Sequence, residues 1–427
     1  MAIRISRSKK SVEGDIRLAG SKSISNRVLI IRALCDSDFD ISGLASSHDT
    51  QLMQSLLADA DADVYDAGPA GTTFRFLTAY LALKEGTQVL TGSERMKKRP
   101  IKVLVEALTK LGAHIEYIGE EGYPPLKIHS PKAIGNVKKI TLPADISSQY
   151  ISALLMIAPT LPDGLEIELD GEIVSIPYIL MTLNIMAYFG IEFKWEDNLI
   201  SIAAQKYIPR PFTIEADWSA ASYYYSIAAL ADQADIRLRG LFKESTQGDS
   251  AIAEIMKKLG VSTIYEKDAI RLQKTPESPK VLEYDFIKCP DLAQTVIACC
   301  GGLGLHGVFT GLQTLRIKET DRIAALQKEL KKGKVSFVQL PAKFSSRSGK
   351  EYHMIDNSFE GDEISIKTYE DHRMAMAFAP LSLKVPLVIE EEMVVNKSYP
   401  EFWEDLKKLG FKIEVVNENL SHPVEGS

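Results

Sequence analysis

The 427-residue sequence is short of cysteine, of paired histidines, of long apolar runs and of basic excess, and each shortage removes a class of protein. Its four cysteines, Cys35, Cys289, Cys299 and Cys300, form no CxxC pair and two are adjacent in an apolar run. Reduced, buried thiols are therefore expected, with no disulfide framework. The seven histidines include no HxxxH or HExxH pair and none lies at ligand spacing from a cysteine, so neither a metal site nor a cofactor is expected. No stretch reaches the ~18 apolar residues of a membrane span, and the opening MAIRISRSKK has no apolar segment behind its charges. The formal net charge of -7 argues against a general nucleic-acid or anionic-membrane surface, leaving only local basic clusters as anion sites. The expectation is a cytoplasmic enzyme or binding protein, a monomer, with no nucleic-acid or membrane partner.

What is present is an ordinary globular composition, 45% hydrophobic and 25% charged, in a chain long enough for two or three domains. One phrase recurs, an amphipathic helix ending in glycine and followed by an alternating strand: ALTKLGAHIEY, NIMAYFGIEFKW, IMKKLGVSTIY, ELKKGKVSFV and DLKKLGFKIEVV. Its glycines, Gly112, Gly190, Gly260, Gly333 and Gly410, are 78, 70, 73 and 77 residues apart, and SLLADADADVY reads as a sixth, degenerate copy. Glycine just past a helix takes the left-handed conformation that closes it, and the strand leaves from there. A period this long is too large for a solenoid and predicts six small α/β subdomains.

Each copy also carries a second helix that turns apolar nearly all round and is therefore expected to be buried. The six starts are GSKSISNRVLI, AGTTFRFLTAYLAL, ISSQYISALLMIAP, DWSAASYYYSIAAL, PDLAQTVIACC and EDHRMAMAFAPLSL. The last three bring Asp217, Asp291 and Asp371, acids that satisfy a helix N-terminus from within the chain. The first three have no acid there, so their N-termini are freer to face an external anion. This change of type predicts two lobes of three repeats, residues 20–215 and residues 1–19 with 216–427, with crossings near Gly20 and Glu215.

Basic and polar groups gather at these helix starts. In GSKSISNR, Ser23 and Arg27 share one helix face with Lys22 beside them, and the three read either as an anion grip or as a solvated helix start. AGPAGTTFRFL supplies Gly71, where backbone approaches closely, and Arg75, which is open between anion binding and structure. SERMKKRPIKVL packs Arg95, Lys97, Lys98 and Arg99, and DISSQYIS aligns Ser147, Ser148 and Gln149. LRIKETDRIAAL mixes Lys318, Glu319, Asp321 and Arg322; YEDHRMAMAF places His372 and Arg373 before an apolar helix, where both cannot be buried without partners. VVNKSYPEF adds Lys397. If the lobes face each other across a cleft, Lys22, Arg27, Arg99, Lys318, Arg322, Arg373 and Lys397 converge there on a ligand bearing several phosphate and carboxylate charges.

GSKSISNR, RMKKRPI, SSQYISALLM, RIKETDR and DHRMAM, in this order, resemble the motifs of the enolpyruvyl transferases, in particular those acting on shikimate 3-phosphate, across essentially the whole chain. The resemblance implies an α/β fold of two similar lobes, each of three βαβαββ units with buried parallel helices and outer sheets. It implies transfer of the enolpyruvyl group of phosphoenolpyruvate to the 5-hydroxyl of shikimate 3-phosphate, with release of phosphate. It assigns Lys22, Ser23, Arg27, Ser147, Ser148, Gln149, Ser175, Asp291, Thr314 and Lys318 to shikimate 3-phosphate. To phosphoenolpyruvate it assigns Lys22, Gly71, Arg99, Gln149, Arg322, Arg373 and Lys397. Asp291 is implied to take the hydroxyl proton and Glu319 to shuttle the methyl proton, with Lys22 or Lys397 assisting.

Three positions depart from the family pattern: Pro69 and Thr314 stand where asparagine is usual, and Ile176 where lysine is frequent. Residues 331–356 follow the pattern poorly and are expected to form a variable surface region. The competing expectations are the sister enzyme acting on UDP-N-acetylglucosamine, which uses a loop cysteine absent from SERMKKRP, and a non-catalytic protein binding anionic metabolites.

Overall fold

The structure is a computed structural model that describes residues 1–416 apart from 60, 132–133, 136, 172, 174–175, 277–280 and 345–349. The chain divides into two compact units, one of residues 19–215 with 246–248, the other of 1–18, 216–245 and 249–427. Each has its own apolar core.

Among the described residues five sheets are four-stranded and share one topology. In the sheet built from Val64–Asp66, Thr87–Thr91, His114–Tyr117 and Leu126–His129, the first two strands are parallel and flank the Gly71–Leu81 helix in sequence. The Lys102–Lys110 helix follows, and the last two strands return as an antiparallel hairpin whose final strand pairs with Thr87–Thr91. This is βαβαββ. The helix that connects the parallel pair lies within the core of its unit, so it must be apolar almost all round. In the 19–215 unit the Lys22–Leu34, Gly71–Leu81 and Ser148–Ile157 helices pack on one another. In the other unit the Trp218–Leu230, Ala293–Leu303 and His372–Phe378 helices do the same, and Trp218–Leu230 is buried along nearly its whole length.

Two repeats borrow strands from far away. Ala2–Ser6 lies between Leu387–Glu390 and Lys412–Val416, completing the last sheet, and Ser11–Arg17 pairs in parallel with Gln233–Arg239. The first repeat keeps only Ile41–Ser42, paired with Phe212–Thr213 from the far end of the same unit. SLLADADADVY is therefore not a complete sixth copy: after its helix the strand Val64–Asp66 opens the next sheet. The 331–356 segment also departs from expectation. Its ends form the antiparallel pair Ser336–Gln339 and His353–Asp356, with Val335, Phe337 and Ile355 buried, because the sheet of Val281–Asp285 and His306–Thr310 needs its hairpin.

Candidate active site

In the 19–215 unit the three buried helices start without acidic caps. Ser21 and Ala70 make no side-chain cap, and Ser147 accepts only the Gln149 N–H, at 3.4 Å. Cations fill the space. The Arg27 guanidinium is 2% exposed and donates to Thr182 Oγ1 at 2.7 Å, the Ser23 carbonyl at 2.9 Å, Ser152 Oγ at 3.0 Å and the Tyr178 carbonyl at 3.4 Å. All of these partners are neutral, and burial pulls the guanidinium down to about 10. Among the described residues no carboxylate pairs with this buried cation, which is costly, so a nearby anion would be favoured. Lys22 differs: Asp49 Oδ2 lies 3.3 Å from its Nζ, an internal carboxylate supplied by the next helix.

Gly71 gathers two more cations. A Cβ there would sit 2.5 Å from Arg99 Nη1 and 2.6 Å from Arg75 Nη1. Two guanidiniums pressed against the same backbone repel each other, and an anion between them relieves that repulsion. Arg75 is 6% exposed, donates to Gln149 Oε1 at 2.9 Å, and has a buried Nε with no hydrogen-bond partner among the described residues. Gln149 in turn donates to Thr72 Oγ1 at 3.0 Å, so its amide holds Arg75 in place. The methyl group would press on the end of Arg99 and on Arg75, which Gln149 holds, so Gly71→Ala is expected to lower the Tm modestly. Overpacking of roughly 1–3 kcal/mol then falls also on an anion held between the two guanidiniums: its KM should rise about tenfold or more while that of a second substrate bound away from Gly71 changes little. Equal rises in both would contradict the placement.

In the other unit one guanidinium organises three carboxylates. Arg322, 2% exposed, donates from Nε to Asp371 Oδ2 at 2.7 Å, from Nη1 to Asp291 Oδ1 at 3.1 Å and from Nη2 to Glu319 Oε2 at 2.8 Å. Asp371 also caps the His372–Phe378 helix by accepting the Arg373 N–H at 2.9 Å, which locks the guanidinium to that helix start. Arg373 Nη2 lies 3.1 Å from Asp291 Oδ2, Lys318 Nζ 3.8 Å from Asp291 Oδ1, and Lys397 Nζ 3.0 Å from Glu319 Oε1. Burial pushes the Asp291 carboxyl up, but Arg373, Lys318 and Arg322 outweigh it and hold the group well below the usual carboxylate range. Burial depresses Lys318, and the surrounding acids raise Arg322 against its own burial.

A sequence model of the family described as EPSP synthase (3-phosphoshikimate 1-carboxyvinyltransferase) matches residues 6–59 and 54–406. A curated relative from Bacteroides fragilis, a 3-phosphoshikimate 1-carboxyvinyltransferase, is 49% identical over 415 residues, covering 95% of this chain and 98% of its own length. One of the same name from Sulfurovum sp. is 35% identical over 429 residues, covering 93% and 97%. The chain belongs to the EPSP synthase family. A solved EPSP synthase from Acinetobacter baumannii superposes with a TM-score of 0.78 over 97% of this chain and 100% of its own, at 21% identity, which speaks to the fold.

Within this family member the residues expected at the site divide between the two units. Lys22, Ser23, Arg27, Gly71, Arg99, Ser147, Ser148 and Gln149 belong to the first, and Asp291, Thr314, Lys318, Glu319, Arg322, Arg373 and Lys397 to the second. Ser175 lies outside the described residues. The hydroxyl of Thr314 is buried without a hydrogen-bond partner among them. Asp291 is not the helix cap its position suggested: Leu292 takes the N-cap position, and the Asp291 carboxylate turns to the three cations. Asp49, Arg75 and Asp371 escaped assignment as site residues, although Asp49 (in SSHDT) and Asp371 are acids at helix starts facing a cation.

Asp249 escaped notice altogether. It is 3% exposed, accepts a short hydrogen bond from Ser219 Oγ, and that hydroxyl also receives Arg373 Nη2 at 3.4 Å. Burial, then the charge of Asp291, push its carboxyl up from 3.8 to about 6. A raised carboxyl binds its proton more tightly in the folded chain, so the stability it lends is complete below the unfolded value and is lost as pH rises through the folded one. Asp249→Asn is therefore expected to gain Tm relative to the parent between about pH 4 and pH 6 and to keep that gain above it. A Tm difference that is flat with pH would contradict the shift.

Proposed function

We propose that the chain transfers the enolpyruvyl group of phosphoenolpyruvate to the 5-hydroxyl of shikimate 3-phosphate, yielding 5-enolpyruvylshikimate 3-phosphate and phosphate. The observation that carries this reading is the pair of carboxylates, Asp291 and Glu319, gripped by adjacent nitrogens of Arg322. The reaction needs two proton-handling groups on one tetrahedral intermediate: the hydroxyl oxygen attacks C2 of phosphoenolpyruvate, the methylene carbon takes a proton, and loss of phosphate with a methyl proton restores the enol ether.

Asp291 takes the hydroxyl proton. Held ionised by three cations it is an acceptor but a weak one, and anionic substrate groups that draw on Lys318 and Arg373 would raise its basicity. Glu319 shuttles the methyl proton, with Lys397 at 3.0 Å as its exchange partner. Lys22, Ser23, Arg27, Ser147, Ser148, Gln149, Ser175, Thr314 and Lys318 are assigned to shikimate 3-phosphate. Lys22, Gly71, Arg99, Gln149, Arg322, Arg373 and Lys397 are assigned to phosphoenolpyruvate, and Arg75 joins them because it shares the Gly71 position with Arg99. The guanidiniums stabilise the departing phosphate.

The test is phosphate release by the pure protein with phosphoenolpyruvate and either shikimate 3-phosphate or UDP-N-acetylglucosamine. Release with the first acceptor alone is expected. Release with the second alone would transfer the chain to the sister reaction, and tight binding without release would make it a metabolite-binding protein.

A further inference from the structure

We propose that His114, Glu116 and His129 form a binding site for a divalent transition ion of the zinc type, on the exposed face of the Val64–Asp66 sheet. No contiguous histidine motif marks it, and the expectation of no metal site rested on such motifs. The strands make it. His114–Tyr117 and Leu126–His129 are antiparallel, with His114 directly opposite His129. Glu116, two residues on from His114, shares that face, while Leu126 and Ile128 point the other way into the core.

The distances suit zinc. His114 Nε2 and His129 Nε2 lie 3.4 and 3.5 Å from the same Glu116 Oε1, and the imidazoles stack with centroids 4.4 Å apart. The three donor atoms all lie within 4.8 Å of one another. A tetrahedral zinc ion with bonds of about 2.0–2.2 Å holds its donors about 3.3–3.5 Å apart, so small side-chain rotations close the set. Two imidazoles and one carboxylate favour zinc over magnesium or calcium, which prefer oxygen donors.

A neighbouring contact can hold the tautomer that zinc needs. Thr87 pairs with His129 across the neighbouring strand, and its Oγ1 lies 3.1 Å from His129 Nδ1. An Nδ1–H donated to Thr87 leaves the Nε2 lone pair aimed at Glu116, and Nε2 is buried with no hydrogen-bond partner among the described residues. In this tautomer a lone pair and a carboxylate turn to one point and a cation between them is favoured; in the other, the Nε2–H itself faces the carboxylate. Lys127 stands opposite Glu116 in the register, yet no ion pair joins them among the described residues. The ion would tie the edge strand His114–Tyr117 to its neighbour, so binding should stabilise the sheet.

The experiment is zinc titration of chelator-stripped protein by calorimetry, with native mass spectrometry for stoichiometry and thermal melts with and without zinc. The expected result is one ion per chain at micromolar affinity and a higher Tm in excess zinc. His114→Ala and Glu116→Gln should abolish both effects, and Thr87→Val, which keeps all three donors, should weaken binding about 10–100-fold. Visible bands of tetrahedral cobalt should appear in the parent and not in His114→Ala. Binding only at millimolar zinc, no saturable uptake, or uptake that survives His114→Ala would each overturn the proposal, the second leaving a shared proton as the cation. Turnover of the two substrates should be unchanged in His114→Ala, which keeps this test separate from that of the proposed reaction.

Discussion

Asp291→Asn is expected to lower kcat about 10²–10⁴-fold, the range for loss of a positioned general base, with far smaller changes in either KM. The amide keeps the shape of the carboxylate and can still accept from Arg322, but it cannot take a proton. Part of the surrounding electrostatic balance survives, because Arg322 retains Asp371 and Glu319. Arg373 and Lys318 each lose a carboxylate partner, so a modest fall in Tm is expected alongside the kinetic loss. Single-turnover kinetics at saturating substrates would separate the two effects. If kcat is retained and only affinity falls, Asp291 is a binding group and the base must be sought elsewhere. The same substitution removes a charge that raises Asp249 in the folded chain, so the pH window over which Asp249→Asn gains stability should narrow from its upper edge when the two changes are combined.

The reach of sequence reading follows from the range of the forces involved. The repeated helix–glycine–strand phrase was legible because helix closure is local: Gly112, Gly190, Gly260 and Gly410 all take positive φ. Gly333 does not; there Lys334 takes the left-handed conformation instead. The buried helices were legible because burial on every side leaves no polar face. The strands Ala2–Ser6 and Ser11–Arg17 were not assignable to their sheets, since their partners lie more than two hundred residues away and period-two alternation does not name a neighbour. The same limit hid the counter-ions. Lys22 read either as an anion grip or as a solvated helix start, and nothing in GSKSISNR points to Asp49, which only the packing of the second helix brings to it. His114 and His129, fifteen positions apart, become neighbours through a hairpin register.

Arg322→Met should be the most disruptive single change in the 216–427 portion of the chain. Its planar fork satisfies Asp371, Asp291 and Glu319 at once, and Asp371 is fully buried. A hydrophobic side chain of similar length fills the space but leaves these acids crowded and short of a cation. Breaking a buried pair from one side typically costs about 3–5 kcal/mol, and here three pairs break, although Arg373, Lys318 and Lys397 still serve Asp291 and Glu319. Protonating the stranded acids is the cheapest relief, so the deficit relative to the parent should shrink as pH falls into the carboxylate range. Arg322→Lys should recover little of the loss, because one ammonium cannot reproduce a guanidinium that contacts three carboxylates through separate nitrogens. Chemical denaturation at two pH values measures this directly. A variant as stable as the parent, or a lysine variant fully rescued in stability and turnover, would show that the neighbouring cations suffice and that Arg322 does not organise the carboxylates.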